Sequence, residues 1–166
     1  MSLMQIPRKI EYALRALIYM ADHPDAVTRG QEIAQHEHIP KYYLEKVIRA
    51  LMRRGLVRAR RGPGGGYKLG GSAGAITFRQ VIEAVEGPIK LNLCADGSSS
   101  CALKPTCRMY RVWEEGQRVL LELFSQTTLQ QIAAGGSAWA WKRSAGFAEP
   151  GKDAPEAALT TGQSEP

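Results

Sequence analysis

The amino-acid sequence predicts a mainly α-helical fold that carries one small β-hairpin. Apolar residues recur at helical spacing in three consecutive stretches between residues 10 and 54. The segment "LVRARRGPGGGYKLG" then alternates apolar and basic residues around a glycine-rich tip. A further apolar stripe at helical spacing covers residues 107–124. Three helices followed by a basic hairpin indicate a winged helix-turn-helix, and the later stripe indicates a long dimerisation helix.

The first helix is predicted in "IEYALRALIYMADHP", where Pro24 ends the pattern. Its apolar residues fall on one stripe, which we expect to face the core: Ile10, Leu14, Leu17, Ile18 and Ala21.

Two shorter helices joined by a tight connection are predicted in "TRGQEIAQHEHIPKYYLEKVIRALMRRG". The first covers about residues 29–36 and turns Ile33 and Ala34 inward. The second begins near Pro40, because proline lacks an N–H that would have no partner in a first helical turn, and it stops at Gly55. Its inward residues are expected to be Leu44, Val47, Ile48 and Leu51.

The hairpin is predicted to place Val57 and Ala59 on one face, alternating with arginines on the other. Glycines in its tip, residues 62–66, supply the backbone freedom that the loop requires. The glycine-rich string is a poor nucleotide-binding loop, since it lacks a Gly-Lys-Ser/Thr ending and a strand-then-helix setting.

Beyond residue 75 the sequence predicts a helix capped by Thr77 and Gln80, a cysteine-containing loop, the long helix, and a short helix capped by Thr128 and Gln131. The long helix is too apolar for a solitary helix on a small domain, and a homodimer seam is the favoured use of its stripe. The stripe comprises Met109, Val112, Trp113, Val119, Leu120, Leu123 and Phe124.

Three regions follow from this organisation. Residues 1–75 are predicted to form the winged helix-turn-helix. Residues 76–134 are predicted to hold the capped helix, the cysteine loop and the dimerisation helix. From residue 135 to residue 166 the composition shifts to Gly, Ser, Ala and Pro without an apolar period, which predicts a disordered tail.

Positive charge is concentrated in the first 70 residues, which hold 13 Lys or Arg against 6 Asp or Glu, whereas the remainder holds 9 against 10. This segregation favours contact of the N-terminal half with a polyanion. There is no leader pattern and no apolar run near the ~20 residues that span a bilayer. We therefore expect a cytoplasmic protein without a membrane partner.

DNA-contacting residues are predicted on the second helix of the helix-turn-helix and on the hairpin. Lys46 and Arg49 can reach phosphates or a guanine edge, and Glu45 can accept from a cytosine amino group. Backbone-positioning roles are expected for Lys41, Tyr42 and Tyr43. The hairpin arginines suit a narrow minor groove: Arg58, Arg60 and Arg61. For any single one of these residues an ordinary solvated polar face is an open alternative.

All three cysteines, Cys94, Cys101 and Cys107, lie in "LCADGSSSCALKPTCRMY". Three thiols cannot pair completely within one chain, and clustered cytoplasmic thiols bind metal more often than they form disulfides. The C-x6-C-x5-C spacing lacks the close pairs of structural zinc sites. Iron–sulfur clusters accept more varied spacing and would need one further ligand. Three thiols without a special role, or thiols that oxidise directly, remain open.

Together, "YALRALIYMA", "YLEKVIRALMRRGLVRARRGPGGGYKLG", "VIEAVEG" and the cysteine loop resemble the Rrf family of winged-helix regulators, the IscR and NsrR type, over about residues 3–134. The resemblance implies a homodimer with crossed long helices that binds double-stranded DNA at a palindromic operator. It also implies one iron–sulfur cluster per subunit, with the choice between a two-iron and a four-iron form open.

Matched residue by residue, the resemblance implies cluster thiols at the three cysteines, and Tyr43, Glu45 and Arg61 fall where the family reads DNA. Some members use a histidine three residues after the last cysteine, but that position is Tyr110 here. Others take a carboxylate from the first helix of the partner, and Glu11 is the matching residue. The resemblance therefore implies Glu11 as the fourth ligand.

The sequence thus predicts a transcription regulator that acts as a repressor. Its DNA affinity is expected to depend on an iron–sulfur cluster that senses nitric oxide, oxidative stress or iron status. Two alternatives stay open: a cluster-free thiol-based redox regulator, and a cysteine-dependent interaction protein that binds DNA through charge alone. An enzyme is not expected, because only Asp96 lies near a cysteine and it suits a loop turn better than a nucleophile arrangement.

Overall fold

A computed structural model of the 166-residue chain describes residues 6–92 and 102–134. Within these ranges the order of elements is α1 Arg8–Asp22, α2 Gly30–His36, α3 Lys41–Arg53, β1 Val57–Arg60, β2 Gly66–Leu69, a 3-10 helix Ala73–Ala75, α4 Phe78–Glu86, α5 Tyr110–Gln126 and α6 Leu129–Ala133. The mainly helical fold with one antiparallel hairpin is confirmed. The predicted tail and the first two cysteines lie outside the described residues.

Helix α1 buries a stripe that is rotated from the predicted one. Its buried residues are Ile10, Ala13, Ala16, Leu17, Tyr19 and Met20. Leu14 and Ile18, which were expected at the centre of the stripe, lie partly exposed at its edge. Ala13 and Ala16 are completely buried, because small side chains let neighbouring helices approach α1 closely.

Helices α2 and α3 form the helix-turn-helix. Ile33 of α2 is completely buried, and the connection buries Ile39 while His38 adopts a positive φ of 50°. Pro40 is the N-cap of α3 rather than a residue of its first turn. The predicted inward residues of α3 are all buried: Leu44, Val47, Ile48 and Leu51. Ala50 is buried with them.

The hairpin gains a third, strand-like partner that the sequence analysis did not predict. In the register of β1 and β2, Val57 pairs with Leu69 and Ala59 with Tyr67. Thr28 then bonds to Tyr67 from the other side, with N–H···O distances of 2.9 and 2.8 Å in the two directions. This bridge fastens the hairpin to the segment before α2. A Cβ at Gly66 would collide with the carbonyl group of Thr28.

One hydrophobic core contains residues from both sides of residue 75. Its fully buried members include Leu17, Ile33, Leu51, Val81 and Leu129. The backbone also joins α4 to α6, since Phe78 N donates to Thr127 O at 2.8 Å. Both predicted capping boxes are present, at Thr77 with Gln80 and at Thr128 with Gln131. The three-region division itself stays a prediction.

Helix α5 is the least covered helix of the described part of the chain. It packs on α4, where the rings of Phe124 and Phe78 lie 4.9 Å apart, and its single buried residue is Gln117. Along the predicted apolar stripe, Met109 and Val112 are 65% and 71% exposed. The remaining stripe residues are partly buried. The exposed part of the stripe is therefore its first two residues, Met109 and Val112. Among those residues, no helix is long and apolar enough to cross a membrane.

Candidate nucleic-acid interface

The outward face of α3 carries all of the polar residues predicted for it. Because the apolar stripe of α3 anchors the helix on the core, the alternate positions must face solvent. The exposed residues are Lys41, Tyr42, Tyr43, Glu45, Lys46 and Arg49. An exposed polar face of this kind is expected on a recognition helix that enters the major groove.

Contacts within this face orient several of the side chains. The Lys46 ammonium lies 4.3 Å from the centre of the Tyr42 ring, a cation–π contact. The ring of Tyr43 lies between Tyr42 and Tyr12 of α1, at centroid distances of 5.6 and 5.8 Å. The aromatic residues thus extend the surface from α3 to α1 and hold the Lys46 charge close to the helix.

Two charged groups farther along α3 differ in their contacts. The Arg49 Nε donates to the main-chain oxygen of Glu45 at 3.2 Å, one turn before it. The carboxylate of Glu45 has no ion pair or hydrogen bond among the described residues. It is therefore available to accept from a base edge, as an acidic side chain does with a cytosine amino group.

A cleft of about 290 Å³ lies between the start of α2, the start of α3 and the hairpin. Leu44 and Ile48 form an apolar floor. Cations from three elements surround it: Arg29, Lys41 and Arg60. Such a convergence suits a phosphodiester backbone that is drawn toward α3. Arg29 and Gln31, which also line the cleft, were missed in the sequence, although their position at the start of the first helix of a helix-turn-helix could have indicated them.

The three hairpin arginines, predicted as one group, lie beside different cavities. Arg60 lines the cleft, whereas Arg61 lies exposed at the tip beside Gly62, whose φ of 94° is in the left-handed region. Arg58 stands opposite Lys68 in the register of the hairpin. Arg58 does not line the cleft and instead lines a separate groove.

The carboxylate of Glu32 on α2 links this helix to α1. The Tyr19 hydroxyl donates to Glu32 Oε1 at 2.8 Å, and Arg29 N donates to Glu32 Oε2 at 3.4 Å. The hydrogen bond from Tyr19, then that from Arg29, lowers the pKa of Glu32, and the bond to Glu32 raises the pKa of Tyr19. His23 and His36 stack near the Tyr19 ring, at 4.6 and 5.0 Å. This contact links the N-terminal end of α2, which borders the cleft, to α1.

Two of the four predicted cluster ligands lie in the described residues, Cys107 and Glu11. Cys107 is half-buried, and its main-chain oxygen accepts from Tyr110 N at the start of α5. Glu11 is exposed on α1 and pairs with Arg15, which also pairs with Glu37 in the helix-turn-helix connection, at 3.4 and 3.3 Å.

No group of three His, Cys, Asp or Glu side chains within residues 6–92 and 102–134 could hold a metal ion. Cys94 and Cys101 lie outside those ranges, so the ligand set stays a prediction. Tyr110, three residues after Cys107, donates its hydroxyl proton to Glu114 at 2.7 Å. Its ring lies 4.7 Å from the Lys104 ammonium.

Comparison with known proteins gives a consistent set of matches. The profile of the Rrf2 family, described as "Iron-dependent Transcriptional regulator", matches residues 6–135. A protein of Aquifex aeolicus (strain VF5), named as a candidate HTH-type transcriptional regulator, is 31% identical over 125 residues, which is 74% of this chain and 87% of that protein.

Solved structures resemble the fold over most of the chain. CymR of B. subtilis, called its global cysteine regulator, has a TM-score of 0.67 at 28% identity and is matched over 80% of this chain and 98% of its own. CymR of Staphylococcus aureus in an oxidized form gives 0.61 at 25% identity, over 78% and 96%. IscR of T. potens gives 0.63 at 23% identity, over 88% and 93%, a likeness of fold alone.

Proposed function

The chain belongs to the Rrf2 family of DNA-binding transcriptional regulators, and from this premise we propose that it is a homodimeric repressor controlled at its cysteines. The exposed face of α3 beside the cationic cleft is the observation that carries the DNA-binding part of the proposal. Base contacts come from Glu45, Lys46 and Arg49, while Lys41 and Arg60 contact the phosphates. The protein regulates transcription and is not an enzyme.

Helix α5 supports the homodimer. Met109 and Val112 of its apolar stripe are exposed, and a second copy of the same helix offers a stripe of matching chemistry. A two-fold symmetric dimer presents two α3 helices, which read two half-sites about 34–36 Å apart in a palindromic operator. Dimerisation through α5 therefore accounts for both the exposed part of the stripe and the proposed operator symmetry.

The donor set supports an iron–sulfur cluster as the controlling group. Thiolates of Cys94, Cys101 and Cys107, with the carboxylate of Glu11 from the other subunit, would hold it. Thiolate-rich sets suit such clusters, and Glu11 is exposed enough to reach beyond its own chain. When bound, the cluster supplies a group that nitric oxide, oxygen or iron shortage dismantles. A ligand shared between subunits links the dimer geometry to the spacing of the two α3 helices, so DNA and cluster strengthen each other's binding.

The similarity to CymR supports a second candidate function, a regulator in which the thiols respond without a cluster. One matched protein is named a global cysteine regulator and another was solved in an oxidized form. In this alternative the three cysteines oxidise directly, and the oxidised loop changes DNA affinity. The helix-turn-helix and its DNA contacts are the same in both candidates.

Anaerobic purification tests the controlling group. We expect a brown protein with matched iron and sulfide per chain, and a cluster that is lost faster in Glu11→Ala but not in Asp22→Ala, an exposed carboxylate at the other end of α1. Colourless, iron-free protein whose operator binding changes on thiol oxidation would select the second candidate. Stoichiometric zinc would contradict both.

Operator binding is tested separately by selection from a random duplex library, followed by footprinting at moderate salt. Sequence-specific protection supports the regulator proposal. Binding that collapses uniformly with salt, without a preferred sequence, would favour a protein that uses DNA only as a charged surface. The variant with all three cysteines changed to alanine should bind the operator more weakly than cluster-loaded wild type and should not respond to nitric oxide or oxidants.

A further inference from the structure

The outer face of the hairpin carries two cations directly opposite each other. Arg58 on β1 pairs in register with Lys68 on β2. Both residues are exposed, and neither has an ion pair or hydrogen bond among the described residues. Cβ atoms at directly opposed positions of an antiparallel pair lie about 5 Å apart, and like charges there are destabilising. The hairpin therefore keeps an uncompensated repulsion that a bound anion would relieve.

These cations line a groove of about 350 Å³ that shares no residue with the cleft beside α3. The groove is completed by residues 69–73, which form the end of β2 and the segment after it, and by Ala21 and Pro24 at the end of α1. The backbone N–H groups of Gly71 and Ser72, two of these lining residues, have no backbone partner within the described part of the chain. Cationic side chains and backbone amide donors are the groups with which proteins bind phosphate, and this groove is lined by both.

We propose that this outer groove, defined by Arg58, Lys68 and residues 69–73, binds the phosphate backbone of DNA that flanks the operator. The proposal rests on the proposed DNA-binding function and adds a second contact region to it. Continuity of charge favours DNA over an acidic protein: Arg60 lines the cleft and Arg58 the groove, so the cations of one strand extend from the cleft to the groove. A duplex that passes the hairpin at α3 has its flank within reach of the outer face when it bends around the protein.

The test compares two duplexes that contain the selected operator. One is trimmed to the base pairs protected by the protein, and the other extends about 12 base pairs farther on each side. Lys68→Gln and Arg58→Gln remove the groove cations one at a time. Arg60→Gln removes a cation of the cleft, and Arg111→Gln removes an equally exposed cation on α5 as the charge control. Affinities are measured from 0.05 to 0.3 M salt, and thermal unfolding confirms that each variant is folded.

Lys68→Gln and Arg58→Gln are each expected to weaken binding to the extended duplex by about fivefold to tenfold at 0.1 M salt, and to reduce the salt slope by about one per subunit. Lys68→Gln should not change binding to the trimmed duplex, whereas Arg60→Gln should weaken binding to both. Arg111→Gln should leave both affinities unchanged.

Other patterns would overturn the proposal in distinguishable ways. Equal losses on both duplexes would make Lys68 part of the operator contact, and no loss on either would remove DNA as the occupant. A loss confined to binding of a polyglutamate peptide would assign the groove to an acidic protein instead. If Arg60→Gln leaves both affinities intact, the proposed DNA-binding surface fails, and not the groove alone.

Discussion

The hydroxyl of Tyr19 donates a 2.8 Å hydrogen bond to Glu32, and this bond joins α1 of the core to the first helix of the helix-turn-helix. Glu32 also accepts from the backbone at the start of α2, where Arg29 contributes to the cleft. One carboxylate thus fixes the end of α2 that borders the DNA-facing cleft. The ionisation of this pair should therefore affect both the stability of the fold and its DNA affinity.

We expect Tyr19→Phe to lower the free energy of unfolding, with a pH dependence set by Glu32. The bond lowers the pKa of Glu32 below its ordinary 4.5, so its stabilisation is complete above that value and is lost as pH falls through the folded pKa. The raised pKa of Tyr19 means that the stabilisation is complete below pH 10 and is lost as pH rises through a folded pKa above 10.0.

Urea unfolding of wild type and Tyr19→Phe across pH 3 to 11 measures this dependence. The difference between the two proteins should be full near neutral pH and shrink at both ends. Tyr42→Phe is the control, because the Tyr42 hydroxyl is exposed and its removal should have little effect at any pH. A difference that stays constant across the range would show that the bond does not govern either ionisation.

Gln117 fixes the segment that precedes the cysteine loop. Its Oε1 accepts from Leu91 N at 2.8 Å, and its Nε2 donates to Ile89 O at 2.7 Å. Gln117→Leu keeps the packing volume but leaves both backbone groups unpaired, so we expect a loss of about 2 kcal/mol in the free energy of unfolding. Gln126→Leu, at an exposed glutamine of the same helix, should cost much less. Equal losses in urea unfolding would contradict the role of the two bonds.

Gly66 is required by the contact between the hairpin and Thr28. A Cβ at residue 66 would collide with the Thr28 carbonyl group, whereas a Cβ at Gly71 meets nothing within 4 Å. We expect Gly66→Ala to lower stability by about 1–3 kcal/mol and to weaken DNA binding, because the strained hairpin lines the cleft. Gly71→Ala should leave stability nearly unchanged. Comparable thermal midpoints for the two variants would show that the hairpin can move away from Thr28 at little cost.

Local patterns predicted the elements well, and the failures share one physical cause. The apolar period of α3 and both capping boxes depend on neighbouring residues, and they agree with the structure. Which face of α1 becomes buried depends on where the other helices pack against it. Leu14 and Ala13 both fit the helical period, so the period alone does not decide which of them is buried. Likewise, nothing near Thr28 indicates its pairing with Tyr67, 39 positions along the chain. These features are determined by tertiary packing, which cannot be predicted from the local pattern of a single sequence.

In the candidate site, too, the features set by local sequence were predicted and those set by tertiary packing were not. Helical period alone was sufficient to place the polar residues of α3 outward, and all of them are exposed. The separation of Arg58 from Arg60 depends on which elements pack beside each end of the hairpin, so a grouping by charge could not detect it. Arg29 joins the cleft only because α2 begins beside the hairpin.

Glu45 should set base preference rather than overall affinity. Its carboxylate has no partner among the described residues and can accept from a cytosine amino group. We expect Glu45→Ala to lose about 1–3 kcal/mol of discrimination at one base pair in each half-site. Competition between the operator and its single-base variants measures this. Asp22→Asn removes the same charge from the end of α1 and should leave the preferences intact. A uniform gain in affinity for every sequence would show that Glu45 acts through charge alone.

Val112 tests the proposed dimer seam at a position that matters little to the isolated subunit. Its side chain is 71% exposed, so Val112→Glu should not disturb the fold of one chain. Within an α5–α5 seam, however, two buried carboxylates would face an apolar surface without partners, and the dimer should dissociate.

Sedimentation of Val112→Glu at micromolar concentration should give a monomer, while Gln126→Glu, which adds the same charge at an exposed polar position of α5, should remain dimeric. Affinity for the two-half-site operator should fall by about 10²–10⁴, because linked half-site binding is lost. Binding to a single half-site should be unchanged, since α3 and the cleft belong to one subunit. A Val112→Glu protein that sediments as a dimer would place the seam elsewhere, and the exposed part of the α5 stripe would then need another partner.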